Sequence, residues 1–365
     1  MSKQETQVIK GIAILMMLFL HLFNQGQEVA ALHHLFWVGD APLVEVLTRA
    51  ANPVSFYLFC GGYGLYYVYR RGADKHHYTR VLKLFVHYWL VLLVFVTLGH
   101  YIAAPGVYPG SLKTLIYNMT GFYTTWNGEC WFLLPYVLLS LSSKRLFAWM
   151  GRYRTRYVLA VTFFINLCVG YVISRYGSKY LYTNPYLYLP VLYLNLLFAF
   201  TLGAMAMRTG VIDRWRAVYA GLAHKRTGVH TYIHTYIHTY IHTYIHTYIY
   251  PLLCLCILIV SRCVVDTSVY GPFYTFLFIV LVLMMKRGAM TDKILAHLGK
   301  YSMEMWLIHT WFCYYLFRGF FYGLHYPLLI YALLLAVTYA SAVVVKALGD
   351  RVIERMGGLY KRLFI

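Results

Sequence analysis

The sequence has little charge for its length. It contains only 12 aspartates and glutamates among 365 residues, and the four charged residue types together make up 12% of the chain. A soluble globular domain carries about 25% charged residues. Hydrophobic residues make up 61% of the chain, and its mean hydropathy is +0.58. This composition excludes an ordinary soluble domain and indicates a protein that crosses a membrane several times.

Two further features are missing. The first apolar run begins near Ile9 with neither a basic segment before it nor a small-residue cleavage site after it, so we expect no cleavable signal peptide and a first span that stays in the mature protein. The seven cysteines have spacings typical neither of a disulfide framework nor of a metal site. We therefore predict free thiols and no bound metal.

Long apolar runs predict an all-α fold, a single polytopic domain over residues 1–365 with about ten transmembrane helices. Each run is about 16 to 22 residues long, enough for a helix to cross the bilayer. The fourth run is short and opens with Glu129, and the seventh contains Pro251. The predicted spans are 9–25, 52–69, 83–102, 128–143, 157–174, 186–207, 245–262, 269–285, 299–317 and 327–346.

The basic residues test this topology independently. When the connections are assigned alternately to the two sides, 26 of the 32 lysines and arginines fall on the side that holds both termini. Cytoplasmic loops are enriched in Lys and Arg, so both termini are predicted to be cytoplasmic. The formal net charge of +20 then reflects loops that contact anionic lipid headgroups. Nucleic-acid binding is not indicated, because no basic domain stands apart from the spans.

One segment differs from the rest. His-Thr-Tyr-Ile occurs five times in succession from His230 to Ile249. In a helix its histidines would lie at i, i+4 spacing, which can hold a metal, but neither a helix nor a strand supplies a fixed set of three or four ligands. Identity between the units indicates tandem duplication. We interpret residues 229–250 as a low-complexity cytoplasmic or interfacial insertion before the seventh span.

Lys10 and His21 lie at the two ends of an otherwise wholly apolar stretch. Their eleven-residue separation corresponds to about 16 Å of helix, half a bilayer. If Lys10 marks the cytoplasmic face, His21 lies in the outer half of the membrane. Ionisable side chains are costly there and suggest a functional site. The other polar residues in or beside the spans are Arg80, Lys83, His87, Glu129, Glu304 and His309.

Each of these residues also has a structural explanation. A lone membrane histidine can be an interhelical hydrogen-bond partner, and Arg80 and Lys83 can extend to the headgroups. Glu129 can be solvated near the surface, and Glu304 can pair with Lys300 one turn earlier. Together, however, they occur at both faces and at mid-depth, as a path across the membrane requires.

Four stretches resemble motifs of the membrane acyltransferase-3 family, whose members mostly O-acetylate glycans. The resemblance runs from about residue 8 to 347 and includes the ten spans of the family core. Many members have Ser-Gly in the second span where this chain has Gly61-Gly62, so no hydroxyl role carries over there. The matching stretches are Lys10-x10-His21, Arg80-x-x-Lys83, Gly128-Glu129-x-Trp131-Phe132-Leu133 and Leu298-Gly-x-x-Ser302 through to Leu307-Ile308-His309.

The resemblance implies transfer of an acyl group, usually acetyl, from cytoplasmic acetyl-CoA to a hydroxyl of a cell-surface or lipid-linked saccharide in a prokaryotic cell membrane. Lys10, Arg80 and Lys83 are the implied donor-binding residues, because basic groups on the cytoplasmic side can hold the coenzyme's phosphates. We expect no appended extracytoplasmic domain, so the chain acylates its target directly or passes the group to a separate partner.

The resemblance also implies roles for three residues. His21 is the implied general base, since an imidazole pKa near 6.5 suits the task, with a transient acetyl-imidazole as the nucleophilic alternative. Glu129 would orient His21 or bind sugar hydroxyls. His309 would line the path or donate a hydrogen bond to the carbonyl oxygen.

A secondary transporter or lipid-linked glycan exporter is the alternative, with the buried histidines and glutamates forming a proton relay. Against it, the sequence has no inverted repeat and no pair of Gly- or Pro-broken spans at matching positions in its two halves.

Overall fold

The computed structural model describes residues 1–72, 77–104, 106–224, 249–265 and 267–364, and these form an almost entirely helical bundle. The long helices are α1 (Lys3–Phe23), α4 (Pro53–Arg70), α5 (His77–Ile102), α7 (Leu133–Gly151), α8 (Thr155–Tyr176), α9 (Pro185–Thr209), α10 (Val211–His224), α11 (Tyr250–Val264), α12 (Gly271–Met284), α13 (Ala289–Thr310) and α15 (Pro327–Phe364).

Short elements connect these helices. They are α2 (Gly26–Ala30), a two-stranded antiparallel hairpin of β1 (Trp37–Val38) and β2 (Ala41–Pro42), α3 (Leu43–Thr48), α6 (Leu112–Thr120) and α14 (Arg318–Tyr322). Gly128–Phe132 form a 3-10 turn before α7, and Gly177–Leu181 and Trp311–Tyr315 form π-helical turns.

The all-α membrane-type fold is confirmed. Among the described residues, five helices are long and apolar enough to cross a membrane, at Lys3–Phe23, Tyr78–Ile102, Thr155–Leu181, Pro185–Thr209 and Pro327–Gly357. Tyr250–Val264 and Gly271–Met284 are shorter apolar helices. Each of the ten predicted spans overlaps a helix, and residues 245–248 of the seventh span lie outside the described residues. The number of crossings and the side of the termini stay predictions. The fourth span differs in its start, because α7 begins only after the 3-10 turn.

Local sequence explains how α1 begins. The Ser2 hydroxyl accepts a hydrogen bond from the Glu5 backbone N–H at 3.1 Å, and the Glu5 carboxylate accepts one from the Ser2 N–H at 2.6 Å. This capping box satisfies two donors that a helix N-terminus otherwise leaves unpaired. The apolar residues that follow are buried against the neighbouring helices.

Glycines bring helix backbones into direct contact. A Cβ atom at Gly11 of α1 would lie 2.0 Å from the Leu295 carbonyl oxygen of α13, and one at Gly299 would lie 1.9 Å from the Gln7 oxygen. Small residues permit this close approach between membrane helices. In the second predicted span, Gly62 is required in the same way, because its Cβ would lie 1.9 Å from the Phe200 oxygen of α9.

The His-Thr-Tyr-Ile repeat lies outside the described residues except for Ile249, at the start of the chain segment that continues into α11. The interpretation of residues 229–250 as an insertion therefore stays a prediction.

Candidate functional site

Three predicted site residues meet at the C-terminal end of α1. The His21 Nε2 atom lies 3.7 Å from the Glu129 Oε2 atom, and the rings of His21 and His309 are 5.0 Å apart between centroids. These side chains come from α1, the 3-10 turn and α13, which are far apart in sequence. The fold thus forms a His–His–Glu cluster, defined here as His21, Glu129 and His309.

The hydrogen bonds of His309 define its tautomer. Its Nδ1 atom lies 2.8 Å from the Trp306 carbonyl oxygen and 3.2 Å from that of Met305. Carbonyl oxygens only accept, so Nδ1 carries the proton and donates, and Nε2 carries the lone pair. This buried Nε2 has no hydrogen-bond partner among the described residues. Donation to a carbonyl oxygen, one of the expected roles, therefore requires a second proton on His309.

Two tyrosines that the sequence did not single out contact His21 and the turn that carries Glu129. The Tyr314 hydroxyl lies 3.3 Å from His21 Nδ1 and accepts a hydrogen bond from the Gln25 side-chain amide at 3.0 Å. The Tyr315 hydroxyl accepts a bond from the Gly128 backbone N–H at 2.7 Å. Both tyrosines belong to the π-helical turn Trp311–Tyr315. Such turns occur frequently at functional sites, but no sequence pattern signals this one.

Two hydrogen bonds hold the residues just before Glu129. Asn127 accepts a hydrogen bond from the Thr310 hydroxyl at 2.9 Å through its Oδ1 atom, while Tyr315 holds Gly128. Both contacts come from the C-terminal end of α13 and the π-helical turn that follows it. Glu129 is therefore positioned by the same segment that contributes His309.

The three predicted donor-binding residues line one cavity near the N-terminal end of α1. This basic cavity has a volume of about 770 Å³, within the usual range for ligand sites, and Lys10, Arg80 and Lys83 all contribute to its wall. Lys300 and Lys346 line it as well. Several cations therefore face a single cavity, which suits an anionic ligand.

A charge cluster forms part of the wall of this cavity, with Glu304 and His87 buried and Lys83 and Asp350 partly exposed. Glu304 Oε1 lies 3.5 Å from His87 Nε2 and 3.7 Å from Lys346 Nζ, so its basic neighbour is Lys346 of α15 and not Lys300. Asp350 Oδ1 is 2.6 Å from Lys83 Nζ, and its Oδ2 is 3.2 Å from Lys346 Nζ. Lys346 and Asp350 were not predicted, because Lys346 ends the last apolar run and Asp350 lies in the basic tail that follows it.

The sequence also predicted free thiols and no bound metal. Each of the seven cysteines carries a free thiol, as expected. In the described part of the chain, no group of three or more His, Cys, Asp or Glu residues is arranged to hold a metal ion.

The chain matches the model of a protein family. This model, which is described as an acyltransferase domain, matches residues 5–347, nearly the whole chain. Neither the curated proteins nor the solved structures gave a match.

Proposed function

Because this chain belongs to the membrane acyltransferase-3 family and is an acyltransferase, we propose that it moves an acetyl group from cytoplasmic acetyl-CoA to a hydroxyl of a cell-surface or lipid-linked saccharide in a prokaryotic cell membrane. One observation carries this proposal. The basic cavity lies at the Lys10 end of α1 and the His–His–Glu cluster at its other end, so a donor from one side can meet an acceptor from the other.

The basic cavity is the proposed donor site. Coenzyme A carries a phosphorylated adenosine and a pyrophosphate, which Lys10, Arg80 and Lys83 can hold through charge-assisted hydrogen bonds. The distance from Lys10 to His21 is about 16 Å by helical rise. An extended pantetheine arm of roughly 15 to 20 Å spans it by the reach of a chain of that size, which brings the thioester to His21.

His21 is the proposed general base. It removes the proton of the acceptor hydroxyl as that oxygen attacks the acyl carbonyl carbon, the C–S bond breaks, and the departing thiolate receives the proton. Glu129 stabilises the imidazolium that forms, because its carboxylate lies 3.7 Å from Nε2. Tyr314 holds the opposite ring nitrogen. A covalent acetyl-imidazole is the variant in which the same ring attacks first.

The acceptor approaches from the His21 end. Tyr314, Tyr315 and Gln25 surround the cluster there, and hydroxyl and amide groups suit hydrogen bonding to a saccharide. A separate extracytoplasmic partner can receive the acyl group instead. Membrane lipids contact the apolar helices.

Replacement of His21 tests the function. His21→Ala is expected to abolish transfer of labelled acetyl from acetyl-CoA to envelope glycan in isolated membranes, while the protein still accumulates there. His297→Ala is the matched control, because His297 is exposed and contacts Tyr339 at 2.6 Å, away from the cluster. Full activity in His21→Ala contradicts the catalytic assignment.

The same membranes separate the enzyme from the alternative. Acetyl transfer that proceeds without an ion gradient supports the acyltransferase, since the reaction needs only donor and acceptor. A transporter or exporter requires the gradient and leaves the glycan chemically unchanged.

A further inference from the structure

Two aromatic side chains in the wall of the basic cavity contact each other, and in their own segments they are the lining residues nearest to His309 and Glu129. Phe132 and Trp306 both line this cavity, and their ring centroids are 5.6 Å apart with an angle of 72° between the planes. This edge-to-face geometry is favourable for aromatic pairs. Both side chains are buried, with 5% and 8% of their surface exposed. We call Phe132 and Trp306 the ring pair.

The His–His–Glu cluster lies immediately beyond the ring pair. Glu129 precedes Phe132 by three residues, and His309 follows Trp306 by three residues. Three residues correspond to about 4.5 Å along the axis of an α-helix such as α13, and to about 6 Å along a 3-10 turn such as Gly128–Phe132. Neither Glu129 nor His309 is part of the cavity lining. The ring pair therefore separates the cavity that suits the donor from the residues that suit the chemistry.

The ring pair is braced by its surroundings. Phe132 also contacts the rings of Trp131 and Tyr136, with centroids 6.0 and 5.4 Å away. Trp306 belongs to the buried core, and its backbone carbonyl accepts the hydrogen bond from His309. Side chains packed at interior density do not yield freely to extra volume. At this centroid distance the two rings are in contact, so a group that passes between them must displace them, and a wider group must displace them further.

Resting on the function proposed above, we propose that Phe132 and Trp306 form the constriction through which the thioester end of the donor passes, and that they select the acyl group by its width. Acetyl and other unbranched acyl groups pass because they need no wider separation of the rings than the pantetheine arm that follows them. Branched acyl groups are disfavoured because they must push the two rings further apart. The ring pair thus determines which acyl group is transferred and takes no part in the proton transfer by His21.

The test compares two donors whose acyl groups differ in width, because isobutyryl carries two methyl groups where acetyl carries two hydrogens. Isolated membranes containing the full chain receive labelled acetyl-CoA or isobutyryl-CoA, and incorporation into envelope glycan is measured for each. We expect the wild type to favour acetyl by about tenfold or more, the range in which one or two extra carbons are discriminated. Trp306→Leu and Phe132→Leu remove one ring each and are expected to reduce this ratio to about threefold or less.

The ratio of the two rates is insensitive to how much protein folds, because both are measured on the same membranes. Phe147→Leu is the matched control, since Phe147 is a buried ring that stacks on Phe200 at 5.9 Å and does not line the cavity. Its ratio is expected to equal that of the wild type. If Trp306→Leu loses all transfer, Trp306→Phe decides the question, because it keeps a ring of smaller width and is expected to give an intermediate ratio.

Three outcomes overturn the constriction: a wild type that uses isobutyryl-CoA as well as acetyl-CoA, a ratio unchanged in the ring-pair variants, or a ratio altered equally by Phe147→Leu. These outcomes differ from failure of the proposed function, in which the wild type transfers no acyl group from either donor.

Discussion

A single methyl group at Gly11 is predicted to separate α1 from α13. The Cβ of an alanine there would lie 2.0 Å from the Leu295 oxygen, whereas real Cβ atoms essentially never come within 3.0 Å of a heavy atom outside their own and the adjacent residues. The obstacle is backbone and cannot rotate away, so α1 and α13 must move apart by at least about 1 Å, a displacement that can cost about 100-fold in rate when it misplaces reacting groups. Because these helices carry His21 and His309, we expect Gly11→Ala to lower acetyl transfer by about this factor.

The assay is the rate of acetyl transfer in isolated membranes, divided by the amount of inserted protein. Gly299→Ala tests the same contact from α13, because its Cβ would lie 1.9 Å from the Gln7 oxygen, and a similar loss is expected. Gly170→Ala on α8 is the control, since the nearest atom to its Cβ is the Ser268 hydroxyl at 3.8 Å, an ordinary contact.

Rates within about twofold of the wild type in Gly11→Ala and Gly299→Ala would contradict a displacement of α1 from α13, because displaced reacting groups lower the rate by much more. An equally strong loss in Gly170→Ala would also contradict it, since the loss would then follow from any added methyl group.

Three further changes have expected outcomes. Arg80→Ala removes a cavity-lining cation and is expected to raise the apparent KM for acetyl-CoA by roughly tenfold, whereas Arg156→Ala, at an exposed position beside Tyr157, should leave it unchanged. Tyr314→Phe removes the hydroxyl 3.3 Å from His21 Nδ1 and should lower kcat by about two- to tenfold with an unaltered KM for acetyl-CoA; a changed KM would contradict this positioning role. Shortening the His230–Ile249 repeat to one unit should leave transfer intact, and loss of activity would show that the repeat is required.

The membrane class and the helices were predictable because hydropathy is a local property of the chain. A helix in lipid satisfies its backbone hydrogen bonds within its own segment, so an apolar run of sufficient length indicates its own structure. The start of α7 was predicted less well. Residues Gly128–Phe132 are apolar enough to be read as helix, but contacts of Asn127 and Gly128 with Thr310 and Tyr315 hold the segment as a 3-10 turn.

The candidate residues were predictable for a related reason. His21, Glu129 and His309 are ionisable groups in apolar surroundings, and such groups stand out in any membrane sequence because their burial is costly. Lys346, Asp350 and Tyr314 did not stand out. Lys346 ends an apolar run and Asp350 lies in the basic tail that follows it. Tyr314 is one of 38 tyrosines, most of which are explained by packing and interfacial position.

The sequence by itself determined that this chain is a helical membrane protein with a few ionisable residues at mid-depth, and its motifs indicated an acyltransferase. Only the tertiary structure decided which of those residues meet. His21 and His309 come together because Gly11 and Gly299 let two backbones touch, and the Phe132–Trp306 pair forms between elements distant in sequence. Helix positions depend on local hydrophobicity, whereas these contacts depend on side-chain packing between segments that no local pattern relates.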